Sequence, residues 1–407
     1  MAVRILHTSD LHIGKRLYDF DLAEDHKLFF KWLIQCIQAR KADYLLMTGD
    51  IFDQANPAVE SLGLYYSFLA DLSKTGCRAI ITAGNHDSPA LIDAPSDILK
   101  ALDIRVVGKI PRNREEMIIP VTDSEDHVVA AIAAIPFLRD RDIRIAGEAE
   151  TYGSRIEAVR EGIKNFYDHI AEMLNEKFPF VPHIATGHLF AQDATTSKSE
   201  REIQIGNLAG IGESAFPPGL TYVALGHIHK AQDVGNSKRI RYCGAPLPLS
   251  FSDADYDHKV ILLTIENNQI TQEDIEIPKQ RNLVTLSGTL DEIEVQLAAL
   301  KKTLPLSYLV EIDIIEDHFT PESLVRKESL TEKYGPGGDF TTVQSRIKFI
   351  HDSSSTIIPE NYAADFNEIT PEKVFDDLFK SYPEKDKQVL VEIFAEIKQA
   401  AEERGSL

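Results

Sequence analysis

Five short motifs place metal-ligating side chains directly after apolar segments. They are Asp10-Leu11-His12, Gly49-Asp50, Gly84-Asn85-His86-Asp87, Gly187-His188 and Gly226-His227-Ile228-His229. Asp10 and His12 are two residues apart, so in extended backbone both side chains point the same way. His227 and His229 share that spacing. Asp10, His12, Asp50, Asn85, His188, His227 and His229 are together more ligands than one ion needs. Two ions with one bridging carboxylate are the natural solution. Asp50, a lone carboxylate after a strand and a glycine, is the bridge candidate. Mixed carboxylate, imidazole and amide ligation suits Mn²⁺, Fe²⁺ or Zn²⁺. Two ions about 4 Å apart activate water and stabilise the attacking and leaving oxygens of a phosphoester. His86 is read as standing just outside the ion pair, stabilising the phosphoryl transition state or assisting proton transfer. Asp87 is read as orienting His86 or its backbone, and His7 as either a support behind the ligands or structural, rather than a ligand. The histidines at 26, 127, 169, 183, 258, 318 and 351 lack supporting partners and are set aside.

The elements that must position these motifs follow from periodicity. Val3–Asp10 reads as a strand entering a loop, and further strands are expected at 42–48, 79–82 and 181–186, and over Thr221–Leu225. Each ends in one of the motifs. Between them, helical spacing marks residues 21–40, with Phe29, Phe30, Leu33, Ile34 and Ile37 facing a sheet. A second helix is expected over 58–74, burying Leu62, Tyr65, Tyr66 and Leu69. A short helix over Ala94–Ala101 and an amphipathic one over 154–174 follow. Strand–helix alternation predicts βαβ units and a largely parallel sheet, whose ligands collect beyond the carboxyl ends of the strands. Strands near 105–107 and 127–135 continue the pattern. Arg239–Cys243 and His258–Ile265 read as later strands of an antiparallel or second sheet. The segment 136–153, with Arg139, Arg141 and Arg144, is either substrate-facing or a solvated loop.

Near residue 280 the character changes. Ser287–Leu300 reads as a helix, and Tyr308–Ile315 and Thr341–Phe349 as strands that pair. A small α+β unit over 281–352 is expected. In the tail, Thr370-Pro371-Glu372 is a helix start, and Lys385–Ala401 reads as a second helix. This helical hairpin either packs on its own chain or presents an apolar surface to a partner.

Bulk properties bound the function. At 407 residues the chain suggests two or three domains, with 43% hydrophobic and 26% charged residues. No apolar window reaches membrane-helix length. Met1 leads straight into a strand, leaving no room for a signal peptide, and three scattered cysteines form no disulfide framework. The cytoplasm is the expected compartment. A net charge of −21 argues against binding nucleic acid by bulk attraction. It leaves room for a nuclease, because bound cations reverse the local sign and a partner can supply basic surface.

The motif set, together with Ile5–Lys15, Gly49–Asp53, Gly84–Ser88 and Tyr242–Phe251, resembles the calcineurin-like metallophosphoesterases. Within them it resembles the nuclease subunits of SbcCD-type repair complexes. The resemblance is specific over about residues 1–265. It implies a four-layer α/β sandwich over 1–275, an α+β DNA-capping domain over 281–352, and a C-terminal helical tail over 369–407 that grips an ATPase coiled coil. It implies one metal held by Asp10, His12, Asp50 and His229, a second by Asp50, Asn85, His188 and His227, and His86 as the non-ligand catalytic residue. Some family members carry another histidine soon after the Gly-Asp motif, where this chain has Asp53 and Gln54. The resemblance further implies two Mn²⁺ ions and exonuclease action, 3′ to 5′, on double-stranded DNA ends. It also implies endonuclease action on single strands or hairpins. The implied assembly is a homodimer within a heterotetramer, bound to an SbcC-type ABC ATPase with a long coiled coil, with no membrane partner. Lys15, Arg16, Arg139, Arg141, Lys198 and Arg201 are the candidates for DNA-backbone contact. A small-substrate phosphodiesterase and a structural adaptor with a dead site are the alternative readings.

Overall fold

The computed structural model describes residues 2–143, 152–191, 200, 210–235, 237–318, 320–334 and 338–350. The tail expected over 369–407 therefore lies outside the described residues, as do Arg144, Lys198 and Arg201.

Two six-stranded sheets stack face to face. The first runs in the order Gln269–Glu276, Lys259–Glu266, Val3–Thr8, Tyr44–Thr48, Arg78–Thr82, Ile104–Val107. Its last four strands are parallel, as the βαβ pattern predicts. The second runs Gln232–Val234, Ser237–Tyr242, Leu220–Gly226, His183–His188, Val128–Ala133, Ile118–Thr122. Side chains alternate across each strand. Ile5, Leu46 and Ile80 thus face the second sheet, while Leu6, Leu45 and Ile81 face the helices Ala23–Arg40 and Val59–Ser73. The long helix Tyr152–Lys177 covers the other face of the second sheet through Ile163, Tyr167 and Ile170. Helix, sheet, sheet and helix make the four layers of an α/β sandwich.

As expected, Lys259–Glu266 pairs antiparallel, with Val3–Thr8 of the first sheet, and Ser237–Tyr242 lies in the second sheet, parallel to Leu220–Gly226. Other expectations are corrected. Tyr66 is 38% exposed, because the stripe of its helix runs through Tyr65, Phe68, Leu69 and Leu72. Two short helices, Pro89–Asp93 and Ser96–Lys100, replace the expected Ala94–Ala101, since Pro89 starts the first and Pro95 precedes the second. Strands Ile118–Thr122 and Gln269–Glu276 are additional.

Beyond residue 280 a parallel three-stranded sheet forms from Leu283–Gly288, Tyr308–Glu316 and Phe340–Phe349, the last two paired as expected. Helices Leu290–Ala299 and Pro321–Lys333 pack on one face, around Ile293, Leu297, Val310 and Ile312. The helix expected from Ser287 starts later, because Leu283–Gly288 is a strand and Thr289 caps the helix in a reciprocal pair with Glu292. Contact with the sandwich runs through the hairpin Arg16–Asp21, directly after the first metal motif. Leu17 and Leu22 meet Leu283 and Leu309, and the Tyr18 hydroxyl donates to Glu311. Arg281 donates to both Asp25 oxygens at 2.6 and 2.8 Å.

Candidate metal centre

All eight residues predicted for the site converge at the carboxyl ends of the strands. Asp10 and His12 follow Val3–Thr8, and Asp50 follows Tyr44–Thr48. Asn85 and His86 follow Arg78–Thr82. His188 closes its strand, and His227 and His229 follow Leu220–Gly226. The loops are stitched together beyond the last ladder bonds. Asp10 N–H donates to Gly49 O at 3.1 Å, His12 N–H to Asp50 O at 2.9 Å, and Gly49 N–H to Thr82 O at 3.1 Å.

The glycines before the ligands are required by close approach. A Cβ at Gly49, which has φ +85°, would stand 2.1 Å from His188 Nδ1. A Cβ at Gly226 would stand 1.9 Å from Thr48 O. Asp10, His12, Asp50 and His227 themselves adopt positive φ of 52°, 46°, 47° and 102°. Non-glycine residues seldom adopt such backbone, and it concentrates at functional sites.

Among the described residues, three groups of ligand atoms lie within 4.8 Å of one another: Asp10–His12–His229, His12–Asp50–His86 and Asp10–Asp50–His188. Asp50 is central. Its Oδ2 lies 3.2 Å from His188 Nε2, 3.5 Å from His12 Nε2 and 4.0 Å from His86 Nε2. Asn85 Oδ1 is 2.8 Å from His188 Nε2, and the His188 and His227 rings stand 5.4 Å apart. Comparison with protein-family models matches residues 3–231 to the calcineurin-like phosphoesterases.

The chain belongs to the calcineurin-like metallophosphoesterase family. It is homologous to proteins named as the D component of the SbcCD nuclease. The Escherichia coli K12 protein is 35% identical over 337 residues, 81% of this chain and 82% of the relative. The Rhodobacter capsulatus protein is 34% identical over 74% of this chain and 76% of its own. The Bacillus subtilis protein is 28% identical over 64% and 66%. Family membership and the buried Asp–His groups make the protein a metal-dependent phosphoesterase.

The electrostatics of this phosphoesterase centre call for cations. Burial pushes Asp10 up to about 7, with Asp50 adding to the shift. Burial also works against the charge on Asp50, yet His188, His12 and His86 hold it well below the usual carboxylate range. His188 is pushed up to about 9, because Asp50 outweighs the opposing effect of burial. Burial and the neighbouring His188 hold His227 down to about 3, and burial with His12 holds His229 well below its usual value. His12 Nε2 and His227 Nε2 are buried without a hydrogen-bond partner among the described residues. Buried polar atoms are normally paired. Two such imidazole nitrogens beside two buried carboxylates fit divalent cations, for which the acids are ionised and the imidazoles neutral.

The histidines are also presented correctly. His12 Nδ1 bonds Asp53 Oδ1 at 3.2 Å, His86 Nδ1 bonds Asp53 O at 2.7 Å, and His188 Nδ1 bonds Thr48 O at 3.3 Å. Those acceptors leave Nε2 of each ring toward the centre. Asp10 is held by the Ser9 hydroxyl at 2.5 Å and His227 N–H at 2.8 Å.

Sequence reasoning passed over Asp53 and Glu200, whose carboxylate accepts from His229 N–H at 2.9 Å. Asp53 lies within the Gly49–Asp53 stretch, but its contact with His12 spans 41 residues. Asp87 holds the backbone of the two loops. Its oxygens accept from the N–H groups of Ile51, Phe52 and Gly84 at 3.1, 2.9 and 2.8 Å. His7 is structural, bonded to Tyr222 Oη and Thr48 Oγ1, each at 3.0 Å. Lys15 pairs with Asp53 at 3.4 Å, and the Arg16 guanidinium binds Asp19 O.

Proposed function

We propose that this chain is the Mn²⁺-dependent nuclease subunit of an SbcCD-type complex acting in DNA repair, recombination and replication. The observation that carries the reading is the reach of the similarity. The match to the Escherichia coli relative covers 81% of the chain, well past residue 231 where the family model ends. Residues 1–280 alone could not supply it, so the similarity extends into the residues after 280. A small-substrate phosphodiesterase has no evident use for them. On this reading they cap DNA over the centre, and the protein acts at double-stranded ends, 3′ to 5′, and on single strands or hairpins. It works in the cytoplasm, at the nucleoid, as a homodimer joined to an SbcC-type ATPase through residues 369–407.

Asp10, His12, Asp50 and His229 would hold one ion; Asp50, Asn85, His188 and His227 would hold the other. Divalent ions bound there supply positive charge to the phosphoryl oxygens and favour in-line hydrolysis. Asp50 would be the shared ligand, because His12 Nε2 and His188 Nε2 lie 3.5 and 3.2 Å from the same oxygen. Asn85 contributes a neutral oxygen and keeps the net negative charge of the ligands low. His86 moves a proton at Nε2, its ring steadied by the Asp53 carbonyl. The buried ligands exclude bulk water, which strengthens each of these interactions.

The test is cleavage of linear duplex DNA by the purified chain, with and without its ATPase, after EDTA treatment and Mn²⁺ addition. DNA cleavage restored by Mn²⁺ supports the reading. Hydrolysis of cyclic nucleotides with intact DNA overturns it. Deleting 369–407 should weaken ATPase association more than catalytic-domain folding, and unchanged association would show that the tail serves its own chain.

A further inference from the structure

We infer that Phe137 is a substrate-contacting residue, its ring stacking a nucleobase next to the phosphate held at the metal centre, an inference that rests on the nuclease reading above.

Strand Val128–Ala133 lies parallel to His183–His188, so its carboxyl end opens on the same side as the ligand-bearing ends. None of the candidate ligands follows it. The chain continues Ala134-Ile135-Pro136-Phe137-Leu138. Residues 130–138 are buried except at Phe137, which is half-buried. Ile135 and Leu138 already fill the core there, at 0% and 2% exposure. Phe137 is fixed in place from two sides. Its N–H donates to Ala83 O at 2.8 Å, two residues before Asn85. Ile135 N–H donates to Thr186 Oγ1 at 2.6 Å, two residues before His188. The Phe137 ring meets the His188 ring edge to face, with centroids 6.3 Å apart.

This position is the open side of the centre. Asp10, His12, Asp50, His188, His227 and His229 are buried, whereas Asn85 is half-buried. A perpendicular contact with His188 occupies at most one face of the Phe137 ring. Among the described residues no other ring meets it. A held, half-open aromatic face takes an unstacked base in a sequence-tolerant way, because every base has a π-face. Two residues on, Arg139 is half-buried, and its guanidinium has no hydrogen-bond or ion-pair partner among the described residues. An aromatic face and a spare cation beside one metal centre match a nucleotide, which carries a base and phosphates on one sugar. A phosphoester without a base gains nothing from the ring. If the ring merely buttressed His188, the base of the substrate would make no difference.

The test uses the full chain with Mn²⁺ and two single-stranded oligonucleotides. They differ at one mid-strand sugar, which carries a base in one strand and is abasic in the other. A sequencing gel reads the rate of cutting at the two phosphates flanking that sugar. In the wild type, cutting at one of them is expected to fall about 5- to 150-fold when the base is removed, the range for one base stacked on an aromatic ring. In F137A, cutting of the base-bearing strand should fall by a similar factor, and removing the base should then cost nothing more. F137L keeps the apolar bulk and should fall with F137A. F137W keeps a ring and should stay near the wild type.

Equal cutting of the two strands by the wild type would overturn the inference without any variant having to fold. So would a loss in F137A that is the same on both strands, which would mark the ring as a buttress of His188. F137L that cuts like the wild type would also overturn it. A wild type that cuts neither strand would overturn the nuclease reading, and the stacking role with it.

Discussion

Gly84 lies so close to Asp50 that a Cβ at position 84 would stand 2.1 Å from Asp50 Oδ1 and 2.3 Å from its backbone nitrogen. A backbone atom cannot turn aside as a flexible side chain can. Gly84→Ala should therefore displace Asp50, the proposed shared ligand, costing about 1–3 kcal/mol of stability through overpacking and weakening metal binding. Gly63 offers the control, as an exposed helical glycine whose added Cβ would meet nothing within 4 Å. Gly63→Ala should stabilise by about 0.5–1 kcal/mol. Thermal midpoints and bound-metal analysis of the two variants check both expectations. Normal metal content in Gly84→Ala would contradict the packing argument.

His86→Ala should slow phosphoester hydrolysis by about 10²- to 10⁴-fold, the range for loss of a positioned acid or base, while two ions stay bound. His86 Nε2 lies 4.0 Å from Asp50 Oδ2, close enough that metal content is the deciding readout. Loss of both ions in the variant would make His86 a ligand instead.

The Asp25–Arg281 pair joins the first helix to the segment entering the three-stranded sheet, and both side chains are only 5% exposed. Removing one partner strands a buried charge. Asp25→Ala should cost about 3–5 kcal/mol, whereas replacing both by Leu and Met should cost far less. Urea midpoints provide the comparison, and proteolysis near residues 277–282 should accelerate in the single variant. Equal stability of single variant and wild type would count against the pair as the anchor.

Acid sensitivity follows from His7. Burial, with a smaller effect of Arg241, holds its pKa down to about 3, whereas the unfolded value is about 6.5. Between those values the unfolded chain binds the extra proton, so stability falls as pH falls below about 6.5. The slope from this one group is about 1.4 kcal/mol per pH unit. Burial lowers His26 and His258 as well, in the same direction. In EDTA the urea midpoint should drop from pH 7.5 to 5.5, and His7→Gln should flatten that dependence by one proton. An identical slope in the variant would assign the titration elsewhere.

The sequence by itself determined the candidate ligand types and the reaction class. Each of Asp10, His12, Asp50, Asn85, His188, His227 and His229 follows an apolar strand, and strand plus motif is a local pattern. The helix Pro321–Lys333 went unread, although Thr320-Pro321-Glu322 starts it with the residue types that mark Thr370-Pro371-Glu372. Other features were not local. The return of Lys259–Glu266 to the first sheet depends on pairing with residues more than 250 positions away. The division of the histidines between His7, which spends both nitrogens on Thr48 and Tyr222, and His12, whose Nε2 faces Asp50, is a matter of which hydroxyls and carboxylates fold beside each ring. Asp53 and Asp87 hold the centre together through contacts spanning 33 to 41 residues. Ligand chemistry is a property of side chains and can be read along a chain. The direction in which a ring nitrogen points is a property of its neighbours, and only the tertiary structure supplies them.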